Sequence, residues 1–263
     1  LKEIIVDEGV TFIPADAFRE QTSIERVVLS DTVERINSYA FYNATALNSV
    51  DLGDGLKQIN EYAFYNCKSL PEIEFPDTLI TINNNVFNGC KALTELSFPD
   101  SLVDIYEYAF ANCTGLTGIT IPEKVTVIHS HSFLNCTGIE YVNLPDGLLQ
   151  INAYAFENCL FEEIDIPDTV TTMSSDAFYN CTKLSKVGYP ASLNGIANTN
   201  NSFSTYNQTY RSPFYKCTAL KEIIVDEGVT FIPTDTFKEQ TSIETVVLPD
   251  SVEKINSFSF YNA

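Results

Sequence analysis

The chain has few of the residues that membrane spans, nucleic-acid binding and most hydrolytic catalysis require. No apolar run reaches the roughly 18 residues that a membrane-spanning helix needs. Lysine and arginine number 15 against 35 aspartates and glutamates, which gives a formal charge of −20. Such a chain repels nucleic acid and anionic membranes, so neither is expected as a partner. Histidine occurs only twice, which leaves little from which to build a Ser-His-Asp or Cys-His relay.

What the chain has in abundance is a repeated phrase of about 23 residues, here called a rung. Each rung carries one marker phenylalanine, and successive markers are separated by 23 residues six times, then by 22, by 36, and by 23 twice. A fixed period of this length is typical of a solenoid, in which stacked rungs share one core. The eleven markers are Phe18, Phe41, Phe64, Phe87, Phe110, Phe133, Phe156, Phe178, Phe214, Phe237 and Phe260.

The apolar spacing within a rung predicts its local structure. An L-x-x-I-x-L pattern ends in alternation and predicts a short strand with one buried face. A proline such as Pro76 or Pro99 usually follows and ends the strand, because proline has no N–H for a ladder. A second apolar pair comes next, and Y-A-F-x-N-C closes the rung through a tight turn or a 3₁₀ turn. With rungs stacked about 4.8 Å apart, we expect parallel, in-register strands.

One interval between markers is longer because residues 197–213 form a polar insertion. Binding residues tend to lie on loops that a rigid scaffold carries, so the insertion is a candidate contact segment. A tolerated surface insertion is the alternative. Its candidate residues are Phe203, Tyr206, Tyr210 and Arg211.

A longer repeat also exists, because residues 1–44 match residues 220–263 at 35 of 44 positions. Neither end has the polar cap that a solenoid needs. We therefore expect residues 1–263 to be one solenoid of about eleven rungs, cut from a longer array. Exposed strand edges at uncapped ends would allow end-to-end self-stacking.

The cysteines, histidines and turn aspartates do not form a predicted metal or cofactor site. Seven cysteines each lie three residues after a marker. An odd count without a C-x-x-C pair argues against zinc, and parallel Cβ vectors argue against disulfides, so we predict buried free thiols. His129 and His131 have no third ligand placed by the repeat. The aspartates after the strand proline are interpreted as turn residues, with a weak calcium site as the alternative.

The repeated phrase F-x-N-C-x-x-L-x-x-I-x-I-P-D-x-V-x-x-I-x-x-Y-A-F resembles the BspA-like leucine-rich repeat. The resemblance covers essentially the whole chain outside the insertion. It implies a right-handed superhelix with a parallel sheet on the concave face and short or 3₁₀ turns elsewhere. It also implies an exported adhesin on a cell surface, and it supplies no catalytic residues. Ser30, Gly53 and Asp226 depart from the pattern by replacing the strand proline.

Outward strand positions carry the remaining candidate binding residues. Carboxylates dominate them, and an aromatic side chain stands alone among them. They form either a binding surface for a basic partner or simply a solvated acidic face. These residues are Glu72, Glu74, Glu95, Tyr141, Glu163 and Asp165.

The sequence thus predicts a non-enzymatic, extracellular binding or adhesion protein. Its expected partner is a protein of a host or of a neighbouring cell, with a glycan as a further candidate. Catalysis is not expected, because an open solenoid face cannot desolvate a carboxyl group and raise its pKa. The alternatives are a passive spacer and a carbohydrate-binding module that uses Tyr39, Tyr62, Tyr108 and Tyr154.

Overall fold

A computed structural model describes residues 1–193 and 212–263 and gives a parallel β-solenoid. Each rung contributes up to two short strands. The first series comprises β1 (Glu3–Ile5), β3 (Arg26–Val28), β5 (Ser49–Asp51), β9 (Gly118–Thr120), β11 (Tyr141–Asn143), β13 (Glu163–Asp165), β15 (Lys186–Tyr189), β16 (Glu222–Val225) and β18 (Thr245–Val247). The second series comprises β2 (Phe12–Ile13), β4 (Arg35–Ile36), β6 (Gln58–Ile59), β7 (Thr81–Ile82), β8 (Asp104–Ile105), β10 (Val127–Ile128), β12 (Gln150–Ile151), β14 (Thr172–Met173), β17 (Phe231–Ile232) and β19 (Lys254–Ile255). A single 3₁₀ turn, Ala191–Leu193, completes the regular structure of these ranges.

The strands pair in parallel and in the register that the period predicts. Ile4 lies opposite Val27, and Val27 lies opposite Val50, so each residue meets its equivalent one rung later. The ladder nevertheless breaks between β5 and β9, where an isolated bridge from Glu74 to Ser97 remains. Pro71 begins this stretch and lacks the N–H that Asn48 uses on the previous rung to reach the Glu25 carbonyl at 2.9 Å.

Marker phenylalanines form the central ladder of the core. From Phe41 to Phe237 their side chains are 0% exposed, and neighbouring rings stack nearly parallel. The ring centroids of Phe41 and Phe64 are 5.2 Å apart, and those of Phe110 and Phe133 are 5.8 Å apart. Each buried ring contributes about 2–3 kcal/mol by the hydrophobic effect, so no rung is stable without its neighbours.

The rung closes through a tight turn and not through 3₁₀ helix. Two residues of most turns, two before and two after the marker, have positive φ, such as Tyr62 at 59° and Asn66 at 60°. Left-handed residues interrupt any right-handed helical run, which excludes the 3₁₀ alternative. The turn N–H groups alternate instead: Phe64 donates to the Val86 carbonyl of the next rung at 3.0 Å, whereas Tyr65 donates within the turn to the Tyr62 carbonyl at 3.1 Å.

Two side-chain ladders reinforce these turns. Asn135 donates from Nδ2 to Asn112 Oδ1 at 2.8 Å, and Asn158 donates to Asn135 Oδ1 at 2.6 Å. The second ladder consists of the seven cysteines, which are free and buried, as predicted. The Cys136 thiol donates to the Phe110 carbonyl at 3.0 Å, and burial raises its pKa to about 12. The thiols therefore act as small core side chains that also satisfy a backbone acceptor.

Candidate functional site

Side chains at the first and third positions of the first-series strands point outward and form what we call the strand face. In β11 and β13 the central Val142 and Ile164 are buried, whereas both flanking residues are exposed. Inner positions repeat from rung to rung because they pack on each other. Outward positions are free of that demand, so the strand face can carry different chemistry on each rung.

A shallow, open groove of about 900 Å³ lies on the strand face where β11, β13, β15 and β16 meet. We call this feature the groove. It is lined by residues 140–143, Leu160, residues 162–165, Lys183, Lys186, Gly188, Ile224 and Asp226.

Tyr141 forms an aromatic wall of the groove because the adjoining rung has no side chain at the same position. Gly118 pairs with Tyr141 in register, and the tyrosine ring lies across it. A Cβ on Gly118 would be 2.1 Å from Tyr141 Cε1 and 2.2 Å from Cζ. The side chain still keeps 54% exposure, so the ring is supported by backbone on one side and open to a ligand on the other.

Asp165 lies in the same way across Gly188, its partner on the next rung. A Cβ on Gly188 would be 2.3 Å from Asp165 Oδ1. Asp226 follows β16, one rung beyond Gly188, and burial followed by the charges of Asp168 and Asp165 raises the pKa of Asp226. Negative charge on Asp226 is therefore disfavoured by the neighbouring carboxylates, and the lysines of the groove do not remove this effect.

The interval that follows Phe156 has 22 residues where 23 is usual, and this rung contributes several residues to the lining of the groove. Its shortened segment contains Leu160 and Glu162, both of which line the groove. The ladder also breaks here, because β11 and β13 belong to different sheets. A missing residue and a missing hydrogen-bonded pair together leave the indentation.

Negative charge prevails in the groove, with five carboxylates against two ammonium groups. Lys186 Nζ is 3.9 Å from Glu222 Oε2, a carboxylate outside the groove, so part of its charge is already compensated there. The excess of acid favours a cationic partner. The carboxylates belong to Glu140, Glu162, Glu163, Asp165 and Asp226, and the ammonium groups to Lys183 and Lys186.

The structure brings three predicted candidates together in the groove, namely Tyr141, Glu163 and Asp165. Glu72, Glu74 and Glu95 lie on earlier rungs of the strand face, away from the groove. Phe203, Tyr206, Tyr210 and Arg211 lie outside the described residues. The sequence prediction missed the lining residues Lys183, Lys186, Gly188, Asp226 and the supporting Gly118. Two features of the sequence could have indicated the groove, namely glycine at outward strand positions and the 22-residue interval between markers.

The remaining candidates pack between rungs. Tyr39 stacks on Tyr62 with centroids 4.9 Å apart, which leaves little of either ring face for a sugar. His131 lies between Tyr108 and Tyr154, with centroids at 4.4 and 5.0 Å. Across residues 1–193 and 212–263, no three histidine, cysteine, aspartate or glutamate side chains are placed to hold a metal ion. Within the same ranges, no helix has the length and apolarity to cross a membrane.

Comparison with known proteins finds repeat proteins of one type. Residues 11–140, 103–209 and 200–263 match the family described as the BspA type leucine rich repeat region, in six copies. A solved leucine-rich repeat protein from Bacteroides ovatus superposes with a TM-score of 0.70 at 24% identity, covering 99% of this chain and 72% of the other. No curated protein sequence matches the chain.

Two further solved structures are similar. A leucine rich cell surface protein from Faecalibacterium prausnitzii gives a TM-score of 0.57 at 25% identity, covering 100% of this chain and 76% of that one. The leucine rich repeat protein of T. pallidum gives 0.56 at 27% identity, covering 69% and 77%.

Proposed function

The chain belongs to the BspA-type leucine-rich repeat family, and we propose that it is a cell-surface adhesion protein whose strand face binds a protein of a host or neighbouring cell. The observation that carries the proposal is the groove, in which an exposed tyrosine stands among unbalanced carboxylates. Tyrosine is enriched at the energetic centres of protein interfaces because it offers a large, rigid contact area with a polar tip.

Rigidity of the rungs favours binding. The N–H groups of the turns bond from rung to rung, as Phe133 does to the Ala155 carbonyl at 2.9 Å, and Cys136 ties the turn to the core. A surface held in place at so many points loses little conformational entropy when a partner binds. A partner that lies along the strand face would therefore meet a preorganised row of side chains.

The proposed role is non-enzymatic. The groove is open to water, and neither histidine of the chain lines it, because His129 and His131 pack against tyrosine rings in the turns. An acidic surface that is open to water and that no histidine lines offers recognition and not bond cleavage. The relative from Faecalibacterium prausnitzii is described as a cell surface protein, which supports the proposed location for this chain.

Attachment of protein-coated beads tests the proposal. Beads carrying the chain are added to layers of cultured epithelial cells and of bacterial cells. One variant reverses Glu72, Glu74 and Glu95 to lysine, and a second combines Tyr141→Ala with lysine at Glu163 and Asp165. We expect each to reduce bead attachment about tenfold, as loss of an interface centre does.

The matched control reverses three exposed glutamates that lie off the strand face, Glu107, Glu123 and Glu253. It changes the net charge by the same amount as the first variant, so it should leave attachment unchanged. If the control and the strand-face variants attach equally well to every surface that binds the original chain, the strand face is not the binding surface and the passive-spacer alternative stands. Binding of neutral oligosaccharides on a glycan array would instead favour the carbohydrate-binding alternative.

A further inference from the structure

Tyr141 lies flat on the strand face, with one face of its ring packed on Gly118 of the preceding rung. A Cβ on Gly118 would meet three consecutive ring carbons, Cδ1, Cε1 and Cζ, at 2.6, 2.1 and 2.2 Å. Such similar distances to three neighbouring carbons require a ring face, because an approach to the ring edge would bring one carbon much nearer than the others. The opposite face of the ring is therefore turned to the solvent, and the residue is 54% exposed.

A polar pair borders this ring on the same two rungs. Asn143 follows two residues later in β11 and donates from Nδ2 to Thr120 Oγ1 at 3.0 Å, so its side chain leans towards the same preceding rung as Tyr141 does. The strand rise places Asn143 about 7 Å from Tyr141 along β11. Both members of the pair are exposed, so the Asn143 carbonyl can accept and the Thr120 hydroxyl can donate a hydrogen bond to a ligand. We call Tyr141, Gly118, Asn143 and Thr120 the platform.

The platform has the chemistry that a neutral sugar ring requires. A pyranose has C–H groups on its faces and hydroxyl groups around its rim, so it packs a face on an open aromatic ring while its rim bonds to groups that donate and accept. We propose that the platform binds one neutral pyranose unit of a glycan that the partner protein carries. This inference rests on the proposed function. One sugar supplements the protein contact and does not hold a free oligosaccharide on an array, which distinguishes it from the carbohydrate-binding alternative.

The charges beside the platform select against other ligands that stack on a tyrosine ring. Glu95 lies one rung before Gly118 in the same outward position. Glu163 lies one rung after Tyr141, and Lys186 follows only a further rung away. Carboxylates accept hydrogen bonds from hydroxyl groups but repel phosphate, sulfate and other carboxylate groups. Nucleotides and acidic sugars are therefore disfavoured beside the platform, whereas a neutral sugar is not.

The tyrosines of the turns have a different geometry. Tyr39 and Tyr62 stack on each other with ring centroids 4.9 Å apart, so each covers a face of the other. On the strand face, Gly118 supplies no side chain that could cover Tyr141 in this way. The Tyr141 ring instead lies on backbone and keeps a whole face for a ligand.

Saturation-transfer difference NMR on the whole chain tests the site. The probe is methyl β-galactopyranoside, whose H3, H4 and H5 form one unbroken C–H patch. We expect saturation transfer that is strongest at these three protons, because they would lie on the Tyr141 ring. Methyl β-galacturonide has the same ring with a carboxylate, so Glu95 and Glu163 should make its signal several-fold weaker at neutral pH. Methyl glycosides of β-glucose and N-acetyl-β-glucosamine extend the panel.

Four substitutions locate the contact. Tyr141→Ala should abolish saturation transfer, whereas Tyr141→Phe keeps the ring and should retain it. Gly118→Ala places a Cβ where the ring lies, so it should weaken the transfer several-fold although Tyr141 is still present. Gly188→Ala is the matched control, because its Cβ would meet the Asp165 carboxylate and no ring, and it should change nothing. Unchanged thermal midpoints establish that each variant is folded.

Three results of the NMR measurement would overturn the inference. Transfer that persists at full strength in Tyr141→Ala would place the sugar elsewhere, for example on the turn tyrosines. Transfer to a triproline peptide with none to the glycosides would assign the ring to proline stacking. Absence of transfer to every neutral glycoside of the panel would leave the platform without a sugar.

Mild periodate treatment of the cell layers connects the platform with attachment. Periodate cleaves the vicinal diols of cell-surface sugars and leaves the polypeptide chains intact. Treated layers should hold several-fold fewer beads that carry the original chain, but no fewer beads that carry Tyr141→Ala than untreated layers hold. Equal attachment of the original chain before and after treatment would overturn this inference. If the strand-face charge variants still lose attachment on the same layers, the proposed function stands without the sugar contact.

Discussion

Replacing Asn135 by alanine should destabilise the protein by about 3–4 kcal/mol, although the side chain is only half buried. Asn135 occupies the left-handed region at φ 60° and joins two side-chain hydrogen bonds, with Asn112 and Asn158. Each bond contributes about 1 kcal/mol net. A Cβ-bearing residue without a local polar partner costs about 1–2 kcal/mol more in this backbone conformation.

Glycine at the same position separates the two contributions. Asn135→Gly loses both hydrogen bonds but accepts the positive φ without strain, so it should cost about 1 kcal/mol less than alanine despite its greater freedom in the unfolded chain. The protein offers a precedent at Gly89, which stands two residues after Phe87 with φ 82°. There, Asn88 Oδ1 accepts the bond from Asn112 at 2.9 Å, but Asn88 Nδ2 donates to Asn85 Oδ1 on its own rung, so this run of the ladder ends at the glycine.

Urea unfolding at neutral pH measures these differences, with the m-value as a check that all three proteins unfold over the same surface. If Asn135→Ala and Asn135→Gly have equal unfolding free energies, the left-handed conformation does not constrain this turn. If both equal the original protein, the asparagine ladder contributes nothing. Either result would refute the account of the turns given above.

Three other perturbations probe the remaining ladders. Phe133→Ala should lower the unfolding free energy by about 3–5 kcal/mol in the same urea assay, because its 0%-exposed ring packs on two neighbouring rings. Phe260 is only half buried, so a smaller loss for Phe133→Ala than for Phe260→Ala would contradict a shared core. The seven cysteines should resist a thiol-specific disulfide reagent at pH 8 and react after unfolding, since burial raises the pKa of Cys90 and Cys136 to about 12; rapid labelling of the folded protein would count against this. Burial lowers the pKa of His129 and His131, so the unfolded chain takes up their protons first and the unfolding free energy should fall as pH drops below about 6.5. His129→Asn with His131→Tyr, the residues that Asn152 and Tyr154 supply one rung later, should reduce that fall, and an unchanged acid profile would exclude the histidines as its cause.

The inner half of each rung could be predicted from the sequence because packing repeats it. A residue that contacts its own equivalent above and below must match both, so Phe133 and Cys136 recur at fixed offsets, and the parallel register follows from the offset alone. The turn type could not be predicted in the same way. A tyrosine two residues before the marker does not indicate a left-handed backbone conformation. The choice between a tight turn and 3₁₀ helix depends on whether φ at that residue is positive.

The groove was only partly predictable. Outward alternation correctly placed Tyr141, Glu163 and Asp165 on one face. It could not reveal that Tyr141 covers Gly118 of the preceding rung or that Asp165 covers Gly188 of the following rung. These contacts depend on the direction of the side chain, which alternation does not specify. Pro71 and the 22-residue interval each mark a break in the ladder. A single missing N–H or a single missing residue is nevertheless a weak signal beside eight intervals of 23 residues with the same apolar pattern.

Recognition by this fold depends on a sequence that runs across the rungs and not along the chain. The first outward position changes from Glu95 through Gly118, Tyr141 and Glu163 to Lys186, while the core-facing residue beside each of them stays aliphatic. A substitution there alters the wall of the groove but leaves the core contacts in place, so binding chemistry can change at little cost in stability. The shortened interval near Leu160 also lies at the groove, where the hydrogen-bonded ladder between β11 and β13 is interrupted. Binding sites in such a solenoid should therefore be sought where an outward strand position is occupied by glycine or where a rung is shorter than the usual 23 residues.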